Sequence, residues 1–125
     1  MKNIYVGHSK DFDYNKLLVS LSKSKISKYF NIVFPHVKSD KPFNSKEFLK
    51  TCKYMIAEVS SPSIGIGIEL GWANLYGISI ICIYRKGSKV SGSLKVITNN
   101  IIEYDNEKHL IDKLETLLYC KDDSI

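Results

Sequence analysis

The chain has 125 residues, 44% hydrophobic and 25% charged, which fits one globular domain over 1–125 with no room for a second sizeable core. No leader with a cleavage pattern and no apolar run of about 20 residues is visible, and Cys52, Cys82 and Cys120 follow neither a disulfide nor a zinc pattern, so the expectation is a cytoplasmic protein without membrane attachment or metal. The net charge of +5 is uneven, with 11 Lys against 4 acids in 1–53 (+7) and 7 Lys or Arg against 9 acids in 54–125 (−2); this suits solvated lysines or a phosphorylated small molecule, and a single arginine argues against a nucleic-acid module.

Ile4-Tyr5-Val6 reads as a first strand, ended by Gly7. Asp13 is placed to cap a helix over roughly 14–24, with Leu17, Leu18 and Leu21 at helical spacing. Asn31 to Phe34 forms a second strand ended by Pro35, and 36–43 form a polar loop. Ser45 is placed to cap a short helix through Phe48, Leu49 and Cys52.

The run Tyr54 to Val59 is almost continuously apolar, as suits a parallel strand covered on both faces. A helix from about Gly65 to Tyr76 follows, and Gly77 is placed to end it. Ile78 to Tyr84 is a fourth strand, Ser93 to Ile97 a short helical turn, and Ile101 to Tyr104 a fifth strand. Leu110, Leu114, Leu117 and Leu118 stripe a last helix, with a fraying tail after Cys120. Strands alternating with helices predict a doubly wound, flavodoxin-like or Rossmann-like α/β domain: a five-stranded parallel sheet with helices on both faces. Ligands of such sheets sit beyond the carboxyl ends of the strands, which brings together Gly7 to Tyr14, Pro35 to Asp40 and Ser60 to Glu69.

The stretch Ser63-Ile-Gly65-Ile-Gly67-Ile-Glu69-Leu-Gly71-Trp-Ala73 carries the chemistry. Gly65 and Gly67 let backbone come close to a ligand or a neighbour, and the free N–H groups of a helix start favour an anion. The glycine spacing is one residue too long for a dinucleotide fingerprint, and no Gly-Lys-Ser/Thr follows to make a P-loop.

This segment resembles the (D/S)-x-G-x-G-x-E-L-G-x-A signature of the nucleoside 2-deoxyribosyltransferase superfamily. With Ala57-Glu58-Val59 and Pro62-Ser63 before it, it looks closer to the branch of 2'-deoxynucleoside 5'-monophosphate N-glycosidases. The resemblance implies that Glu69 is the nucleophile attacking the anomeric carbon. Ser63, at a place where nucleoside transferases have an acid, would accommodate a 5'-phosphate. Ser93 would be a second phosphate-binding serine reaching in from the partner of a homodimer. Gly7 matches the first-strand glycine, and His36 falls near a His after the second strand. His8 and Ser9, at the same strand end, complete the substrate-binding set. No cofactor is implied.

Two of the family's positions do not match. Its first strand carries an aromatic residue, usually Tyr, three places before the glycine. Here that place is Ile4, and Tyr5 is one residue out of step, which is expected to turn it to the opposite face. The family's Asp that protonates the departing base falls by direct counting on Ser45, with Glu47 or Asp40 as displaced candidates. The reading is therefore N-glycosidic cleavage of a (deoxy)nucleoside 5'-monophosphate. A deoxyribosyltransferase, a nucleotide-binding module that has lost turnover, and an interaction domain of the same shape are the alternatives. Glu58, near the end of a buried strand, is expected to anchor the glycine turn.

Overall fold

A computed structural model of the chain describes residues 1–35 and 44–121. The elements follow one another as β1 (Lys2–His8), α1 (Asn15–Lys23), α2 (Ile26–Tyr29), β2 (Phe30–Val33), α3 (Ser45–Leu49), β3 (Cys52–Glu58), α4 (Ile64–Leu75), β4 (Ser79–Arg85), α5 (Leu94–Ile97), β5 (Ile101–Tyr104) and α6 (Glu107–Lys121). All five strands run parallel in the order β2-β1-β3-β4-β5, so the doubly wound expectation holds.

The sheet separates two cores. Ile4 and Val6 of β1 pack with Leu17 and Leu21 of α1 and with Leu110, Leu114 and Leu118 of α6. Tyr5 packs on the other face with Leu49 of α3, Ile66, Leu70 and Ala73 of α4, and Leu94 of α5. Strand alternation thus divides β1 between the two layers. The chain leaves β1 toward α1 on one face and leaves β3 toward α4 on the other. The crevice between these two exits is the switch point at which such sheets bind ligands.

Several element ends differ from their expected positions. Ser45 does not cap α3; Asn44 does, its side chain accepting from the Glu47 amide at 3.2 Å. An Asx side chain satisfies an early amide as well as a serine would, and Ser45 is released to face the interior. Tyr14, not Asp13, is the residue before α1, although Asp13 still accepts from the Asn15 amide at 3.2 Å. The short helix α2 was not foreseen: Ser24 turns its hydroxyl back to the Leu21 carbonyl at 2.7 Å and interrupts the helix, and Ile26 re-enters the core. Gly77 ends α4 in the left-handed region at φ 73°, as expected. His36, Asp40 and the tail beyond Lys121 lie outside the described residues.

Candidate active site

Ser63 is the first fixed point of the site. It adopts an extended backbone and its hydroxyl accepts from the Ile66 amide at 3.4 Å, so it is the N-cap of α4. The amides of Ile64 and Gly65 belong to the first turn, where an α-helix offers them no acceptor of its own. Glu69 stands half-buried further along the same helix and lines a cavity of about 640 Å³. His8, Ser9, Lys10 and Asp11 from the β1 exit line it, as do Asn44, Ser45 and Lys46 from the start of α3. Pro62 to Ile66, Ile68 and Trp72 complete the wall. A volume of this size is in the range of small-molecule sites.

Tyr5 overturns one expectation. Its hydroxyl donates to Glu69 Oε2, and it lies 3.0 Å from Ser45 Oγ. Ile4, at the counted place, is in the opposite core. The strand therefore presents Tyr5, not Ile4, to the nucleophile candidate. Ser45 lines the cavity at the place where counting puts the family's acid. Glu47 is not among the lining residues; its carboxylate pairs with Lys50 at 3.3 Å on the exposed side of α3.

Gly7, in β1, faces Glu69 of α4 from the sheet. A Cβ there would fall 2.8 Å from Ile66 Cδ1, 3.1 Å from Met55 Cε and 3.3 Å from Glu69 Oε1. Gly65 and Gly67 are different: an added Cβ would meet Ser63 Oγ at 3.7 Å in the first case and no atom within 4 Å in the second. Packing among the described residues demands glycine at neither, and Gly65 borders the Glu69 cavity.

His8 lines the cavity, but its ring lies on the α1 side of the sheet, stacked on Tyr14 with centroids 4.5 Å apart and with Nδ1 2.8 Å from the Ser9 carbonyl. The Ser9 hydroxyl is buried at the cavity wall with no hydrogen-bond partner among the described residues. Ser93 lines a second cavity of about 360 Å³, which meets the first at Pro62, Ser63 and Ile66 and also holds Lys89 and Ser91. Within one chain, Ser93 and Glu69 therefore face different cavities.

Burial, and then the charge of Glu69, pushes the Tyr5 phenol well above its ordinary value; burial, and then the hydrogen bond to Glu58, does the same for Tyr104. Both stay protonated donors at neutral pH. On unfolding these phenols return to the ordinary value of 10.0, so the unfolded chain releases protons that the folded chain keeps. The associated stability is present in full below pH 10 and is lost as the pH rises beyond it. An ultraviolet titration should find both phenols ionising late in the native protein and normally in denaturant. Tyr5→Phe should remove one of the two late phenols from that titration.

Two curated relatives carry the name 2'-deoxynucleoside 5'-phosphate N-hydrolase 1. The protein from Methanococcoides burtonii is 47% identical over 47 residues, 38% of each chain. The protein from Syntrophotalea carbinolica is 32% identical over 74 residues, covering 57% of this chain and 52% of its own. These two relatives support the chain's resemblance to the N-glycosidase branch of the nucleoside 2-deoxyribosyltransferase superfamily. No family model matches it, and it aligns with about two fifths to one half of the lengths of these two relatives. The fold is shared with a CMP N-glycosidase from Clostridium botulinum at TM-score 0.69 and 23% identity, covering 91% of this chain and 99% of that one. A 2-desoxiribosyltransferase from Leishmania mexicana gives TM-score 0.63 at 17% identity, covering 92% and 98%.

Sequence reading brought the segment Gly7 to Tyr14, with Lys10 and Asp11, to this crevice and counted Ser45 as the acid's place, but it gave no site role to Asn44 or Lys46, which also line the cavity. The signal that could have found Tyr5 is its parity with Gly7: residues two apart on a strand share a face.

Proposed function

We propose that the chain cleaves the N-glycosidic bond of a (deoxy)nucleoside 5'-monophosphate in the cytoplasm, releasing free base and sugar 5-phosphate. The observation that carries this reading is Glu69, held by the Tyr5 hydroxyl and open to a cavity that also contains the start of its own helix. A carboxylate so fixed can attack C1' and form a glycosyl ester, which water then hydrolyses, as in retaining glycosidases. The phosphate would take the amides of Ile64 and Gly65, the Ser63 proton and the unpartnered Ser9 hydroxyl. Lys10 and Lys46 at the same wall add favourable charge. The names of the relatives agree with this substrate class.

A second reading, a nucleotide-binding module with impaired turnover, is favoured by one observation: a serine, Ser45, stands where the family's acid is counted. Lack of an acid for the leaving base would slow that step by about 10²–10⁴-fold. Transfer of the sugar to a second base, in place of water, is the remaining variant. Incubation with ribo- and deoxyribonucleoside 5'-monophosphates and chromatography of the free base separate these readings. Base release supports the first, and saturable binding without release supports the second.

Ser63→Asp should keep the cap, since Asp caps helices as well as Ser. It places a charge beside the phosphate site, so monophosphates should lose about tenfold or more in kcat/KM, a like-charge penalty of roughly 1.4 kcal/mol, relative to unphosphorylated nucleosides. Equal loss for both substrates would contradict the phosphate assignment. A homodimer completes the proposal. Ile64, Leu75 and Val96 are 86%, 79% and 85% exposed, apolar side chains of α4 and α5 that a second copy would cover, bringing its Ser93 toward the neighbouring phosphate.

A further inference from the structure

Glu58 is a carboxylate that the proposed mechanism does not use. It ends β3, is 1% exposed and is not among the residues lining the Glu69 cavity. Its Oε1 accepts from the Ser60 amide at 2.6 Å, and its Oε2 accepts from the Tyr104 hydroxyl. Tyr104 is itself buried at the end of β5, two strands away. The Arg85 guanidinium is near enough to act on the Tyr104 phenol electrostatically, while the Arg85 amide donates to Ser60 Oγ at 2.8 Å.

The Arg85 guanidinium continues outward. Its carbon lies 5.1 Å from the centroid of the Phe12 ring, and it pairs with Glu107 at 3.5 Å. The Phe12 amide closes a turn on the Ser9 carbonyl at 3.2 Å. That turn carries Ser9, Lys10 and Asp11, one wall of the cavity, and Ser60 leads directly to Pro62 and Ser63, the facing wall.

We propose that Glu58, with Tyr104 and Arg85, is a positioning residue that fixes both loops walling the Glu69 cavity, and so sets the grip on the substrate's phosphate without touching it. This rests on the proposed function for its catalytic consequence, but not for its structural one. A buried carboxylate is seldom retained for stability alone, since an apolar replacement of similar volume often serves as well. Here it receives one backbone donor and one side-chain donor, the arrangement that fixes a loop in one conformation. Two successive bonds at Ser60, one through its amide and one through its hydroxyl, leave that residue little freedom.

The test compares Glu58→Gln, Glu58→Ala and Tyr104→Phe in the full chain. In Glu58→Gln the amide oxygen still accepts from Ser60 and the amide nitrogen can donate to the Tyr104 oxygen, so this variant should stay near wild type. Glu58→Ala and Tyr104→Phe should speed amide hydrogen exchange over residues 59–66 and 9–12 by about tenfold or more, the effect of losing one charge-assisted bond. KM for the monophosphate should rise by a similar factor, about tenfold, with kcat changed far less, because the loss falls on binding and not on the reacting carboxylate. Should Glu58→Ala fail to fold, Tyr104→Phe carries the test, since it removes only a hydroxyl.

Unchanged exchange in both loops of a folded Tyr104→Phe would overturn the proposal, as would equal damage from Glu58→Gln and Glu58→Ala. If wild type releases no base, the proposed function fails, while exchange and the binding of ribose 5-phosphate still decide whether the cluster holds the loops. Exchange that changes without any change in KM or ribose 5-phosphate binding would overturn the link to phosphate grip.

Discussion

Glu69→Gln is expected to stop base release while leaving the fold and nucleotide binding in place. The amide oxygen can still accept from the Tyr5 hydroxyl, so the side chain keeps its position in the cavity. What it loses is the negative charge that makes the carboxylate oxygen the nucleophile toward C1' in the proposed reaction. Loss of a covalent nucleophile lowers turnover by about 10⁴–10⁶-fold in hydrolases whose groups act as a unit. The measurement is free base over time at saturating monophosphate, with calorimetric binding of the same nucleotide as the control. A Gln variant that releases base at a rate within tenfold of wild type would end the nucleophile assignment. A second result belongs to the same test: a slow substrate trapped with wild type should leave a sugar-phosphate adduct on the peptide containing Glu69, and the variant should leave none.

The sheet was legible because parallel strands buried on both faces are written as continuous apolar runs; Tyr54 to Glu58 and Ile80 to Ile83 stand in the core as read. The glycine turn was legible because Ser63, the glycines and Glu69 lie within one short segment. Tyr5 was misread because its position was counted against a family pattern and not against its own strand. Its parity with Gly7 puts it on α4's side, and Ile4 on the other. Ser45 was misread for a local reason: either it or Asn44 could cap α3, and Asn44 took the place. The Glu58–Tyr104–Arg85 cluster could be read only in part. Burial of Glu58 showed that it needed a partner, but a partner 46 residues away arises from strand order, which single-sequence periodicity does not give.

Gly7→Ala isolates the close approach of α4 to β1. The new methyl would lie 2.8 Å from Ile66 Cδ1, a flexible end that can turn away, but also 3.3 Å from Glu69 Oε1. Relief by the Ile66 side chain alone would leave the carboxylate crowded, and relief by movement of α4 would shift Glu69 off the Tyr5 hydroxyl. Overpacking of this kind costs about 1–3 kcal/mol of stability. Displacement of a reacting group by about an ångström costs about 10²-fold in rate. The variant should therefore melt lower and turn over at about a hundredth of the wild-type rate, the two losses being separable by assaying well below the melting range. Gly67→Ala is the matched control, with no heavy atom within 4 Å of the added carbon. It should leave turnover unchanged and stabilise the isolated helix by about 1 kcal/mol, the usual gain when alanine replaces glycine within a helix. If Gly7→Ala keeps full activity, α4 is not held against β1 in the working protein and Glu69 is not fixed by that contact.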